Sequence, residues 1–175
     1  DSMIEAENEL ELRIISDPDW IKGANWGEPR SGHPEGKVIA HIEEVLGNIF
    51  DENVSNRGRL RLIALVHDTF KYKVDRSKSK TGENHHAMIA RRFAEKFISD
   101  ASTLLVIETH DEAYNAWRAF NEGHEDRGIA RAQLLLDRLI EADAVDLYDS
   151  FYEADNNTGD KTQEPFVWWM ELTGS

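Results

Sequence analysis

The apolar residues of this chain recur at the spacing of an α-helix over most of its length. No stretch alternates apolar and polar residues as a half-buried strand does, and no Asn-Gly turn joins two strand-like runs. The sequence therefore predicts an all-α protein, a single-domain helical bundle. The expected helices cover about residues 3–16, 34–49, 55–70, 83–99, 102–117 and 129–152.

The expected organisation is one helical core with a short segment on either side. Residues 1–32 are predicted to form an N-terminal helix and an ordered loop rich in Gly, Pro and Trp, and residues 33–152 the core. Residues 153–175 are predicted to be a loop and an aromatic tail, PFVWWMEL, that packs back onto the core. Trp168 and Trp169 in this tail favour core packing or a contact in a homodimer.

Composition excludes several classes of site. The chain has no cysteine, so it has neither disulfides nor thiolate metal ligands, as suits a reducing cytoplasm. Its formal net charge of -14 argues against a surface that engages nucleic acid or an anionic membrane. No apolar run approaches the roughly 20 residues that cross a bilayer. We expect a soluble, cytoplasmic protein.

Four histidines lie on helical stripes that are otherwise apolar. A single buried histidine is most simply explained by a hydrogen bond to a backbone carbonyl. Four of them, with Asp68 beside one, would leave many buried polar groups that a metal centre satisfies together. Imidazole with carboxylate suits Mn, Fe, Co, Ni or Zn better than Ca or Mg. The stripes pair His41 with Val38 and Val45, His67 with Leu60 and Ile63, His86 with Ala90 and Phe93, and His110 with Ile107 and Tyr114.

The order of these residues resembles the HD superfamily of metal-dependent phosphohydrolases, an all-α fold named for a doublet such as His67-Asp68. The stretches HPEGKVIAH, ALVHDTFK and HHAMIARRF look most like the HD domain attached to some bacterial CCA-adding tRNA nucleotidyltransferases. The resemblance covers residues 33–150 and implies one or two divalent transition metal ions. It implies that one ion is held by His41, His67, Asp68 and a late Asp, and that Asp68 bridges to a second, completed by His86 and His110.

The resemblance implies hydrolysis of a nucleotide or another small phosphate ester by a metal-activated water, with Asp68 and Lys71 as catalytic residues. One alternative is a di-iron oxygenase of the same fold, which iron dependence and O2 uptake would distinguish. Another is a regulatory module that binds a nucleotide without catalysis.

A basic segment follows the doublet directly. It begins three residues after Asp68, in a chain that is otherwise strongly acidic, which favours a phosphate-facing loop. Lys71, Lys73 and Arg76 are the predicted substrate contacts. The alternative is a solvated charge run. The segment contains Lys71, Lys73, Arg76, Lys78 and Lys80 against the single acid Asp75.

The late Asp must be chosen from the expected helix over 129–152. On a continuous helix, Asp143 shares its face with Leu139 and Leu147. Ala142 matches the small residue that usually precedes the family's final Asp. We therefore predict that Asp143 is a metal ligand and that Asp137 lies on the solvent face. The other two candidates on this helix are Asp146 and Asp149.

Overall fold

The computed structural model describes residues 4–49 and 54–174. The described residues contain no strand beyond a single bridge between Arg30 and His33, which confirms the all-α prediction. The helices are α1 (Glu9–Ile15), α2 (Pro18–Ala24), α3 (Val38–Gly47), α4 (Val54–Val66), α5 (His86–Ala94), α6 (Ala101–Thr109), α7 (Glu112–Asn121), α8 (Glu125–Glu141), α9 (Val145–Asn156) and α10 (Glu164–Thr173).

Helix α4 lies at the centre of the fold, and α3, α5, α6 and α9 all contact it. The C-terminal part of α4, from Ile63 to Val66, is completely buried. A helix segment that is apolar on every side is stable only where other elements surround it. The apolar sequence of this segment therefore explains the central position of α4. The residues that follow α4 consequently emerge in the interior rather than at the surface.

Helix α4 ends at Val66, earlier than the predicted helix over 55–70. The indole N–H of Trp20 donates to the Leu65 carbonyl at 2.7 Å, and the Thr69 hydroxyl donates to the same oxygen at 2.6 Å. In a continuing α-helix that carbonyl would accept from the backbone N–H of Thr69, which here bonds to Val66 instead. His67 and Asp68 therefore lie in a turn.

Helix α2 supports this turn, although the part of residues 1–32 that follows the first helix was predicted to be a loop. Asp17 accepts hydrogen bonds from the first backbone N–H groups of the helix, and Pro18 occupies its first turn. A Cβ on Gly23 would lie 1.8 Å from the Thr69 carbonyl oxygen, so only glycine allows α2 this close to the turn.

Two of the predicted helices are each divided in two. The helix expected over 102–117 breaks after Thr109, and the helix expected over 129–152 breaks between Glu141 and Val145. At the second break Asp143 has a φ of 52°, and the amides of Asp143 and Ala144 bond back to the carbonyls of Ile140 and Leu139. This is the left-handed helix ending that glycine usually supplies and that Asp tolerates.

The aromatic tail forms α10, which contacts α7, α8 and α9. Trp169 is buried, and its indole N–H donates to an Asp149 carboxylate oxygen at 2.7 Å. Trp168 is half-buried against the ring of Phe120. Across the described residues, none of the helices is both long enough and apolar enough to traverse a bilayer.

Candidate metal centre

The first part of the candidate centre joins α3, the turn after α4 and the end of α9. His41 Nε2 and His67 Nε2 lie 3.2 Å apart. Asp155 Oδ1 lies 2.9 Å from the first nitrogen and 3.4 Å from the second. Asp68 Oδ2 lies 3.5 and 3.6 Å from the same two nitrogens. Two imidazoles and two carboxylates therefore point at one spot in the interior.

The second part uses the other oxygen of Asp68. Its Oδ1 lies 3.4 Å from His86 Nε2 at the start of α5 and 3.3 Å from His110 Nε2 just after α6. The two imidazole nitrogens are themselves 3.3 Å apart. One carboxylate thus faces a histidine pair on each side, and both groups could hold a metal ion.

The hydrogen bonds of His67 decide which of its nitrogens faces the centre with a lone pair. Burial lowers the pKa of His67, so its imidazole is neutral and carries one N–H. Its Nδ1 lies 3.0 Å from the Ala64 carbonyl and 3.2 Å from the Ile63 carbonyl, and a carbonyl can only accept. The proton is therefore on Nδ1, and Nε2 presents a lone pair to the centre, the tautomer of a metal-ligating histidine.

Asp155 provides the sharpest test of whether the residues fit a cation. Its Oδ1 is enclosed and makes no hydrogen bond, although His41 Nε2 and His67 Nε2 both lie within 3.4 Å. Lys161 Nζ lies 3.8 Å from this oxygen, beyond hydrogen-bond distance. A cation between the oxygen and the lone pair of His67 would satisfy both groups. The donor set of imidazole and carboxylate fits a transition metal ion.

Charges around the centre hold both carboxylates in their ionised form. Burial alone would raise the pKa of Asp68, but the charge of Lys71 and the surrounding imidazoles outweigh it and hold that pKa well below its usual range. Lys71 Nζ lies 3.2 Å from Asp68 Oδ2. Lys161 and the neighbouring imidazoles have the same effect on the pKa of Asp155.

His110 differs from His67 in its protonation. Burial lowers its pKa, but the hydrogen bond to Asp68 and the nearby charge of Asp111 outweigh burial and raise the pKa to about 9. Its Nδ1 lies 2.9 Å from the Ile107 carbonyl. Without an ion, His110 therefore carries a second proton, directed at Asp68.

A cavity of about 480 Å³ opens onto the centre. This volume lies in the range of small-molecule sites. Its wall combines centre residues with the cations Lys71 and Lys161 and the rings of Tyr114 and Trp117. The cavity is thus cationic at one place and aromatic at another.

Five of the six predicted metal ligands meet at this centre, and Asp143 does not. The prediction that Asp143 projects from the apolar face of a helix is wrong, because the helix ends at Glu141 and Asp143 lies exposed in the turn that follows. Asp137 is exposed, as predicted. The five residues that meet are His41, His67, Asp68, His86 and His110.

Asp155 was missed, although the sequence carries a signal for it. Ala154 precedes it, the same pattern of a small residue and Asp that selected Asp143. On α9 it also follows the buried Phe151 at i-4 and Tyr148 at i-7. Because the predicted helix ended at residue 152, Asp155 was not among the candidate ligands.

Of the three substrate contacts predicted in the basic segment, only Lys71 lines the cavity. Lys73 Nζ instead lies 3.1 Å from Asp19 Oδ2 and over the ring of Phe70, and Arg76 is exposed. Neither lines the cavity, so the prediction for these two residues is corrected. The physical reason is the 3-10 turn over Lys71–Lys73, which directs consecutive side chains apart.

Lys161 and Asp111 are two further charged residues at the cavity that sequence reasoning missed. Lys161 Nζ donates to the Asp155 carbonyl at 3.3 Å and to Thr158 Oγ1 at 3.1 Å. Asp111 Oδ2 lies 3.4 Å from His85 Nε2 and 3.8 Å from His86 Nε2. Neither residue lies on an apolar stripe, so helical periodicity could not identify them.

No protein-family model, curated protein or solved structure matches this chain. The chain itself supplies an all-helical fold and a buried His and Asp cluster that could hold metal.

Proposed function

We propose that this chain is a metal-dependent phosphohydrolase of the HD type, acting on a nucleotide or another small phosphate ester. One observation carries the proposal: Asp68 directs Oδ2 at His41 and His67, and Oδ1 at the second histidine pair. A carboxylate shared between two histidine pairs is the ligand arrangement for two adjacent ions.

The residues have separate roles in this proposal. His41, His67 and Asp155 would hold one ion of the Mn, Fe, Co, Ni or Zn class, and His86 and His110 would hold the other, with Asp68 shared by both sites. When bound, such ions lower the pKa of water toward neutrality and offset charge on phosphoryl oxygens.

The cavity favours a phosphorylated substrate with an aromatic part. Lys71 and Lys161 place two ammonium groups beside the centre, where they can pair with oxygens of a phosphate that do not react. Tyr114 and Trp117 lie with ring centroids 5.9 Å apart on the cavity wall and can stack on a base. A nucleotide satisfies both features.

The proposal is tested by elemental analysis of the purified protein and of Asp68→Ala, together with a panel of phosphate esters. We expect bound transition metal in the native protein, loss of most of it in the variant, and hydrolysis of at least one nucleotide by the native protein alone. Equal metal content in the two proteins contradicts the assignment. O2 uptake without phosphate release points to an oxygenase, and nucleotide binding without turnover to a regulatory module.

A further inference from the structure

A second cavity, of about 850 Å³, adjoins the one at the metal centre. Asp111 lines both cavities. His85 lines the second cavity, and its ring stacks on the ring of His86 with centroids 4.6 Å apart. We call this second cavity the α7–α8 groove, because these two helices contribute more of its lining residues than any other elements.

The linings of the two cavities contain consecutive residues. At the end of α6, Thr109 lines the groove, His110 lines the metal cavity, and Asp111 lines both. Each cavity alone has the volume of a small-molecule site. A ligand that occupies both cavities would cross at Asp111, the residue that lines both.

The groove contains polar side chains that have no partner among the described residues. The side chains of Lys80, His124 and Arg127 make no hydrogen bond or ion pair within the described part of the chain. The other charged side chains of the wall are paired with each other or with neighbours, and the Asp111 carboxylate faces His85 and His86. The pairs are Arg118 with Glu122, Arg131 with Glu112, and Arg138 with Glu108.

The groove also has an apolar part. Leu134 lies on its wall with 65% of its surface exposed, and Met88 and Leu135 line it as well. Free cations beside an exposed apolar surface suit a ligand that has both an anionic group and a flat apolar group. A nucleotide is such a ligand.

We infer that the α7–α8 groove holds the second nucleotide of a linear dinucleotide whose linking phosphate lies at the metal centre. The inference rests on the proposed function and makes the enzyme a phosphodiesterase. In the reaction the oxygen of water joins phosphorus and the P–O bond to the departing ribose oxygen breaks. One water proton ends on the departing oxygen, and the other stays on the new phosphate monoester or is released to solvent. The terminal phosphate of the dinucleotide pairs with Arg127, assisted by Lys80 and His124.

Two probes that differ by one phosphate test this assignment. They are the phosphorothioate-linked analogues of pApA and ApA, in which sulfur slows cleavage of the linkage. Equilibrium dialysis with the metal-loaded protein is expected to show about tenfold tighter binding of the pApA analogue, the value of one charge-assisted hydrogen bond. Equal affinity for the two analogues overturns the inference.

Arg127→Ala and Arg76→Ala form a matched pair of variants. Both arginines are exposed and unpaired within the described residues, and Arg76 lies outside the groove. We expect the preference for the pApA analogue to fall to within about twofold in Arg127→Ala and to persist in Arg76→Ala. An unchanged preference in Arg127→Ala overturns the inference.

Hydrolysis of unmodified pApA separates the groove from the proposed function. If pApA and ApA are cleaved with equal KM, independent of Arg127, the proposed phosphohydrolase activity is supported and the assignment of the groove as a nucleotide site is overturned. If binding depends on Arg127 and no cleavage occurs, the proposed phosphohydrolase activity is contradicted and the assignment of the groove as an anion site is supported.

Discussion

Asp155 and Asp143 are chemically identical residues in opposite environments. Asp155 lies against His41 and His67 in the interior, whereas Asp143 is exposed in a turn. We expect Asp155→Asn to lose the ion that the proposal assigns to this histidine pair and Asp143→Asn to retain it, with a stability change within about 0.5 kcal/mol. Asn tolerates the left-handed backbone at 143, so that variant is a fair control. Equal metal content in both variants would refute the placement of Asp155.

Single residues could be predicted from the sequence wherever the local helix was intact. His41 and His86 lie on unbroken stripes, and their neighbours at i+4 face the same way in the structure. The prediction for Asp143 required an unbroken helix through residues 142–144. The helix ends there because Asp143 adopts the left-handed conformation that glycine usually supplies. Since no glycine is present at this position, the sequence did not indicate the break.

The proton on His110 makes metal binding at the second histidine pair depend on pH. In the metal-free protein its pKa is raised to about 9, so an ion must displace a proton at neutral pH. We expect affinity at this site to rise by about tenfold per pH unit up to roughly pH 9 and then to level off. Calorimetric titrations in buffers of different ionisation enthalpy should count about one released proton at pH 7 to 8. Affinity that does not change over this range would contradict the hydrogen bond from His110 to Asp68.

At the scale of elements, α2 packs against the turn that carries the His-Asp doublet. A Cβ on Gly23 would lie 1.8 Å from the Thr69 carbonyl oxygen, while one on Gly47 at the end of α3 would meet nothing within 4 Å. We expect Gly23→Ala to destabilise the protein by about 2 kcal/mol and to weaken metal binding, because the turn must move. Gly47→Ala should be neutral or stabilising by up to about 1 kcal/mol.

Urea unfolding and metal content of the two glycine variants provide the measurement. A Gly23→Ala protein with native stability and full metal content would show that α2 does not set the position of the turn.

The helices themselves were predictable in type and less so in extent. The apolar stripes of α3, α5 and α8 identify helices whatever their neighbours are. The end of α4 depends on Trp20, which is distant in sequence and occupies the Leu65 carbonyl. Contacts of this kind are tertiary, and no local sequence pattern predicts them.

For the whole molecule, the position of the charges matters more than their sum. The chain carries a net charge of -14, yet Lys71 and Lys161 lie at the metal cavity and Lys80 and Arg127 at the groove beside it. The metal cavity is also lined by Asp68, Asp111, Asp155 and Asp160, so the ions of the proposal would be needed for it to attract an anionic ligand. An acidic composition therefore argues against long nucleic acids and leaves small phosphorylated ligands open.

If the centre binds metal as proposed, it also couples the stability of the whole fold to bound ions. The His and Asp side chains of the centre come from α3, α5, α9 and the turns after α4 and α6, so an ion there joins elements that surround the core. At an ion concentration about a thousand times the Kd, one bound ion stabilises the native state by about 4 kcal/mol. For a chain of this length each kcal/mol corresponds to roughly 2–4 °C in Tm, so chelation of one ion should lower Tm by about 10 °C. Differential scanning calorimetry with and without chelator measures the shift, and Asp68→Ala, which should hold little metal, should show almost none. Identical melting of the native protein in both conditions would show that these side chains satisfy one another without an ion.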